Sequence, residues 1–505
     1  MKHSEDTICA PATSVGTGAV TIIRVSGPDS LRAADSVVRF RSGAAMSSEG
    51  YTVKYGTIPG VDEVLVAIFR APHSYTGEDS VEISCHASRF IASKILQLLV
   101  GAGCRMAEPG EFTRRAFASG KMDLAQSEAV ADLIAADSEA SHRVALSQLK
   151  GGYSRELKAL RDKLTDIASL MELELDFSEE EVEFADRSRL RGLLDSALVK
   201  LDSLADSFRS GNAIKNGVPV AIAGAVNAGK STLLNALLGE DRAIVSDIPG
   251  TTRDTVEETL TIDGQLFRFI DTAGLRESSD RIEKIGIERS FSSISKADTV
   301  IGVLDGCVPL EQLKKDCAAI VARIPAGKRL ILVRNKVDAY DAISPEEFPK
   351  VDRSYLVFPL KYPAFGTYEL DPDALAAELA CYLESRDITV PPGFSVLDIS
   401  ARTGEGMDLL RKQLVLGRSA GESGPGGTST DWGDAALVTN IRHYEALVRA
   451  REDLRQVQIG LDRQTPTDLV AQDLRSAIWE LGTIFGAVTT DDLLDNIFSR
   501  FCIGK

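Results

Sequence analysis

The sequence contains no hydrophobic run near the roughly 18 apolar residues of a membrane-spanning helix, and its opening MKHSEDTICA lacks a signal-peptide core. The expectation is a cytoplasmic protein with no membrane partner. Paired cysteines are also missing. Seven cysteines, at 9, 85, 104, 307, 317, 381 and 502, make an odd, scattered set with no CxxC. That argues against a disulfide framework or a structural zinc site, and for a reducing compartment. A net positive charge is missing as well. With a net charge of −17, a nucleic-acid partner would have to meet a local basic patch. The ending CIGK fits a prenylation box poorly, because Gly504 and Lys505 suit its last two positions badly.

What is present describes a globular chain of several domains. Hydrophobic residues make up 44% and charged residues 26% of the 505, a length that suggests roughly three domains. Residues 1–121 mix β-rich runs (AVTIIRVSG, EVLVAIFR, SVEISCHA) with a helical stretch near SKILQLLVGAG, an α+β pattern without a repeat. From 122 to 215 the texture is helical, with Leu157, Leu160, Leu164, Ile167 and Met171 on one face. The acid-rich ELELDFSEEEVEF interrupts it and reads as a solvated turn rather than a metal site. Residues 216–418 alternate strand and helix patterns, and 419–505 hold a Gly/Ser-rich linker followed by more helix. The expected fold is therefore multidomain α/β and α+β. It has an N-terminal α+β domain, a central helical domain in two halves, and an inserted P-loop domain with a Ras-like mixed sheet.

The chemistry begins at VAIAGAVNAGKSTLLNALL. An apolar strand leads into Gly224-x-x-x-x-Gly229-Lys230-Ser231 and then an amphipathic helix, which is a P-loop in its required context. Its backbone N–H groups, those of Asn227, Ala228, Gly229 and Thr232 among them, can crowd phosphates at a helix N-terminus. Lys230 reaches the β- and γ-phosphates, and Ser231 can ligate magnesium. Ser246-Asp247-Ile248-Pro249-Gly250-Thr251-Thr252 offers a loop able to close over magnesium and the terminal phosphate, with Thr252 as a second magnesium ligand. Asp263-Gly264 predicts a hairpin that delivers a strand into Asp271-Thr272-Ala273-Gly274. Asn335, Lys336 and Asp338 end another buried strand, where a carboxylate can accept two N–H bonds from guanine but would face an acceptor on adenine. Ser400, Ala401 and Arg402 follow, beside the guanine carbonyl. Five motifs in this order specify a GTP-binding domain.

One expected residue is absent. After DTAG many GTPases supply a glutamine that orients the attacking water, whereas this chain has Leu275, which neither donates nor accepts.

Text outside the standard motifs resolves the family. NAGKS, DIPGTTRD, DTAGLRESSDRIEKIGIER and FCIGK, together with SYTGEDSVEISCH and PGEFTRRAFASGKMDLAQSEAVADLI, closely resemble the MnmE (TrmE) family of bacterial tRNA-modification GTPases over nearly the whole chain. Val226 stands where the family usually has proline, and 341–395 is longer than its usual spacing. The resemblance implies that 1–121 binds 5,10-methylene- or 5-formyl-tetrahydrofolate and dimerises. It implies a homodimer joined to the flavoprotein MnmG (GidA) as a heterotetramer. The pair would install an aminomethyl or carboxymethylaminomethyl group at carbon 5 of the wobble uridine, position 34, in certain tRNAs. Arg24, Glu82, Lys121 and Lys505 correspond to the family's folate contacts, though surface ion pairs are the alternative reading. Cys502 is either a reactive thiol or a packing residue. The resemblance also answers the missing glutamine. Potassium, held by Asn227, Ser246, Ile248 and Thr251, would supply the charge of an arginine finger, and Glu283 would orient the water through a bridging water. Arg253 or Arg276 as a finger is the competing device. A regulatory GTPase switch of the ribosome-assembly type would use the same nucleotide motifs without needing the N-terminal set.

Overall fold

A computed structural model of the chain describes residues 6–14, 16, 18–176, 187–239, 257–270, 294–325, 328–340, 371–391, 394–416, 437–463, 465–499 and 501–504. Two compact units emerge: Met1–Ala136, His142–Phe208 and Ala436–Lys505 form one, and Asp137–Ser141 with Arg209–Ala435 form the other.

The first unit carries a seven-stranded sheet of order β3-β4-β5-β6-β2-β1-β7. Its strands are β1 (Ile8–Pro11), β2 (Val20–Ser26), β3 (Arg39–Phe40), β4 (Thr52–Ile58), β5 (Asp62–Phe69), β6 (Ser80–His86) and β7 (Arg105–Met106). Alternation along each strand decides what lies beneath the helices. Ile23, Val25, Val64, Val66, Ile68, Val81 and Ile83 point inward with Leu31, Ile95 and Leu99 of the helices Ser30–Val37 and Arg89–Gly101. The same period sends Arg24 and Glu82, register partners across β2 and β6, to the other face.

The helical part of this unit has one core drawn from both ends of the sequence. Leu157, Leu160, Leu164, Ile167 and Met171 on the helix Gly152–Asp176 pack in a cluster with Leu447, Leu454 and Val457 of Ile441–Asp462 and Leu474 and Leu481 of Thr467–Phe485. The helix Gly152–Asp176 runs on through ELELD, the first five residues of the acid-rich stretch read above as a turn. Leu and Glu are good helix formers, and their propensity outweighs the local charge. Residues 177–186 lie outside the described residues.

Close approaches fix the last described residues onto the N-terminal sheet. Phe498 and Phe501 pack with Leu124, and Gly110, at φ 68°, leaves no space for a Cβ, which would sit 2.6 Å from the Phe498 carbonyl. Ile503 bridges to Pro109, and Gly504 lies against the Pro11 carbonyl, where a Cβ would come within 1.9 Å.

The second unit holds a six-stranded sheet of order β13-β12-β11-β8-β10-β9. Its strands are β8 (Val218–Gly224), β9 (Glu258–Ile262), β10 (Gln265–Phe269), β11 (Thr299–Asp305), β12 (Arg329–Asn335) and β13 (Val396–Asp398). All neighbours run parallel except the β9–β10 hairpin. Its turn residues Asp263 and Gly264 have φ of 48° and 77°, the paired positive values of a two-residue hairpin loop. β11 and β12 are buried nearly end to end, as a central parallel sheet covered on both faces demands. No helix among the described residues is long and apolar enough to cross a membrane.

Candidate functional site

In an open parallel sheet, ligands collect beyond the C-terminal strand ends. β8 ends at Gly224, and the next helix, Lys230–Gly239, starts after a five-residue loop. Two features shape that loop. Asn227 (φ 64°) and Gly229 (φ 97°) both adopt left-handed backbone, and a Cβ on Gly229 would lie 2.2 Å from the Asn335 Nδ2. Asn335 is the strut of the site. Its Nδ2 donates to the Ala228 carbonyl at 2.9 Å, and its Oδ1 accepts from the Ala401 N–H at 3.0 Å. One buried amide thus joins the P-loop to the loop after β13.

Lys230, Lys336, Asp338 and Arg402 are each engaged. Lys230 donates to the carbonyls of Gly224 (2.9 Å) and Ala225 (2.7 Å), and burial pushes its pKa below the usual lysine value. Lys336, at φ 72°, pairs with Asp305 at 2.7 Å. Asp338 accepts from the Ser400 hydroxyl at 2.6 Å through Oδ1 and pairs with the Arg402 guanidinium at 2.5 Å through Oδ2. Ser231 and Thr232 open the helix, Thr232 exposed and Ser231 half-buried, while Ala228 and Ala401 are buried beside Asn335. Asn227 is exposed, and its side chain has no hydrogen-bond partner among the described residues. Ser246, Asp247, Ile248, Pro249, Gly250, Thr251, Thr252, Asp271, Thr272, Ala273, Gly274 and Glu283 lie outside the described residues, as do Leu275 and the two competing arginines, Arg253 and Arg276.

A second cluster sits in the first unit. Arg24 grips Glu82 with Nε (2.9 Å) and Nη2 (2.8 Å), both on Oε1, which leaves Oε2 without a partner among the described residues. The rings of Tyr75 and Phe112 lie 5.3 and 5.6 Å from the guanidinium carbon of Arg24. Tyr75 is anchored through its hydroxyl to Thr113 at 2.8 Å, and burial raises its pKa. Arg24 is opposite Ala10 in β1, one residue from the Pro11 that Gly504 abuts. Cys502, exposed, is therefore in the segment that docks here, its carbonyl 3.5 Å from the Gly110 N–H. Among the described residues Lys121 makes no hydrogen bond or ion pair with Arg24 or Glu82 and donates to the Pro72 carbonyl at 2.7 Å. Lys505 lies outside the described residues.

Sequence reasoning left Asp305, Tyr75 and Phe112 unassigned. Tyr75 and Phe112 lie inside SYTGEDSVEISCH and PGEFTRRAFASGK, so the signal was present but not divided among residues. Asp305 ends its strand directly opposite Asn335, and only the strand pairing reveals that.

Comparison with known proteins gives matches to family models along the chain. Residues 7–121 match the model described as GTP-binding protein TrmE N-terminus, and 124–502 match the MnmE helical domain. The tRNA modification GTPase MnmE of Parabacteroides distasonis is 47% identical over 507 residues, covering 99% of this chain and 100% of that protein. The protein of the same name from Bacteroides fragilis strain YCH46 is 48% identical over 508 residues, again 99% and 100%. Among solved structures, the G domain of the T. maritima FeoB iron transporter is 28% identical and covers 39% of this chain and 96% of its own, with a TM-score of 0.22, too low to bear on the site.

Proposed function

This chain belongs to the family of the tRNA modification GTPase MnmE, and from that premise we propose that it hydrolyses GTP in the course of modifying a tRNA uridine. The observation that carries the nucleotide half is the Asn335 strut, which ties the P-loop to the Ser400–Ala401 loop beside Asp338. This puts the residues that would take the phosphates and the base at one end of one sheet. Gly229 and Lys230 receive the phosphates, Asp338 reads the guanine edge, and the Ala401 backbone stands by the guanine carbonyl.

Two ions belong to this reading. Ser231 and Thr252 would hold magnesium; Asn227, Ser246, Ile248 and Thr251 would hold potassium. Asn227 fits, because its exposed amide sits on a left-handed turn of the P-loop with no competing partner among the described residues. When bound, the ions would supply positive charge against the phosphates, where charge develops in the transition state. Glu283 then orients the attacking water, and Leu275 is no defect.

The modifying half is assigned to the N-terminal cluster. A pterin presents a guanidine-like edge that can donate to a carboxylate, and the unengaged Oε2 of Glu82 suits it, with Arg24 holding the carboxylate through Oε1. Arg24, Glu82, Lys121 and Lys505 would hold 5,10-methylene- or 5-formyl-tetrahydrofolate as the one-carbon source. Residues 1–121 would also mediate a homodimer, with the flavoprotein MnmG completing a heterotetramer. The product would be an aminomethyl or carboxymethylaminomethyl group at carbon 5 of uridine 34. Mass spectrometry of tRNA nucleosides from cells lacking this protein tests the proposal. Loss of the modified wobble uridine is expected; an unchanged nucleoside profile would overturn it in favour of a switch without covalent chemistry.

A further inference from the structure

The Asp338 carboxylate has a resident partner that guanine would have to replace. Its Oδ2 is paired with the Arg402 guanidinium at 2.5 Å while Ser400 donates to Oδ1 at 2.6 Å. A guanidinium and the N1–H/N2–H₂ edge of guanine present the same planar set of donors to a carboxylate. The two cannot share the same lone pairs.

The surroundings say which part can move. The turn carrying Arg402 is tied down: Ser400 N–H donates to the Glu405 carbonyl (2.8 Å), Gly404 N–H to the Ser400 carbonyl (2.9 Å), and Ala401 N–H to Asn335 (3.0 Å). Thr403 N–H also donates to the Ser400 hydroxyl at 3.1 Å. Asp338 itself is 12% exposed, whereas the Arg402 side chain is 73% exposed. Only the arginine side chain can leave without disturbing the loop.

We propose that Arg402 is a built-in competitor for the guanine edge: its guanidinium caps Asp338, and a guanine nucleotide seats its base by displacing it. This rests on the reading of Asp338 as the guanine-recognising carboxylate. The ion pair then tunes how fast and how tightly nucleotide binds. An exposed pair of this kind corresponds to at most about fivefold in an equilibrium constant, and salt screens it.

Stopped-flow binding of a fluorescent GDP analogue to full-length protein stripped of nucleotide tests this with Arg402→Gln and Arg402→Lys. At low ionic strength Arg402→Gln should bind up to about fivefold tighter than wild type, mainly by faster association. The variant-to-wild-type ratio should fall towards one as salt rises, and Arg402→Lys, which keeps a cation, should lie between the two. Equal or weaker binding by Arg402→Gln at every salt concentration, with wild type binding GDP normally, would overturn the competitor role alone. Failure of wild type to bind guanine nucleotides in preference to adenine ones would overturn the Asp338 reading and the proposal with it.

Discussion

Gly229 sits where a single methyl group cannot go, 2.2 Å from the amide of Asn335, in a backbone conformation that already disfavours other residues. Gly229→Ala should therefore move Asn335 and abolish nucleotide binding while far-ultraviolet circular dichroism stays unchanged; retained GDP binding in a titration would contradict the strut. Asp338 makes a sharper case. Asp338→Asn turns one acceptor into a donor, so GTP should bind more weakly by about 1.5–3 kcal/mol, one to two decades, and xanthosine triphosphate should gain. Equal GTP affinity in a calorimetric comparison would remove guanine recognition from this residue. Asn227→Ala addresses the potassium proposal. Wild type should hydrolyse GTP faster in potassium than in sodium at matched ionic strength, and the variant should lose most of that difference while still binding nucleotide. An arginine finger predicts equal rates in both salts.

Between elements, one buried polar tie is announced by no local pattern. Glu128, on the helix Leu124–Ile134, accepts from Arg442 (2.7 Å), His443 (2.7 Å) and Asn440 (3.1 Å) at the start of Ile441–Asp462, and Arg442 also reaches the Thr483 carbonyl at 2.7 Å. Burial pushes the Glu128 pKa up, but the His443 and Arg442 charges and hydrogen bonds outweigh it and hold the carboxyl at about 2. A carboxyl with a depressed folded-state pKa stabilises fully above its unfolded value, near 4.5, and loses that contribution as pH falls through about 2. Glu128→Ala removes the acceptor that half-buried Arg442 and buried His443 share, and should destabilise by about 3–5 kcal/mol near neutral pH. Urea melts should show the gap to wild type narrowing as pH drops towards 3; a gap independent of pH would mean that packing, not charge, is at work. The contrast with the P-loop explains what the sequence could reveal. The P-loop, the Asp263-Gly264 hairpin and the leucine stripe of Gly152–Asp176 are local, each written within one short continuous stretch of chain. Glu128 and His443 are separated by 315 residues, and Arg24 meets Glu82 only through the register of two antiparallel strands. Nothing in a short window encodes either meeting.

At the scale of the whole molecule, residues from both ends of the numbering converge on the N-terminal sheet. Calorimetry of the full-length protein with 5-formyltetrahydrofolate should therefore show binding that Arg24→Ala weakens and that deletion of residues 501–505 weakens too. Unaltered binding after both changes would detach the folate proposal from this cluster. The docking of Ile503 against Pro109 and of Gly504 against Pro11 also orders events in time. A ribosome makes β1 long before the residues that abut its Pro11 end, with the whole nucleotide domain between them. Until that segment is made, the Pro11 end of β1 waits without it, the kind of long-range closure that slows folding and invites chaperones. A stop between the helix Thr467–Phe485 and Phe501 would then release a chain that keeps both halves of the helical core and the P-loop but lacks the residues that abut Pro109 and Pro11, so under the folate proposal it should hold nucleotide and lose 5-formyltetrahydrofolate.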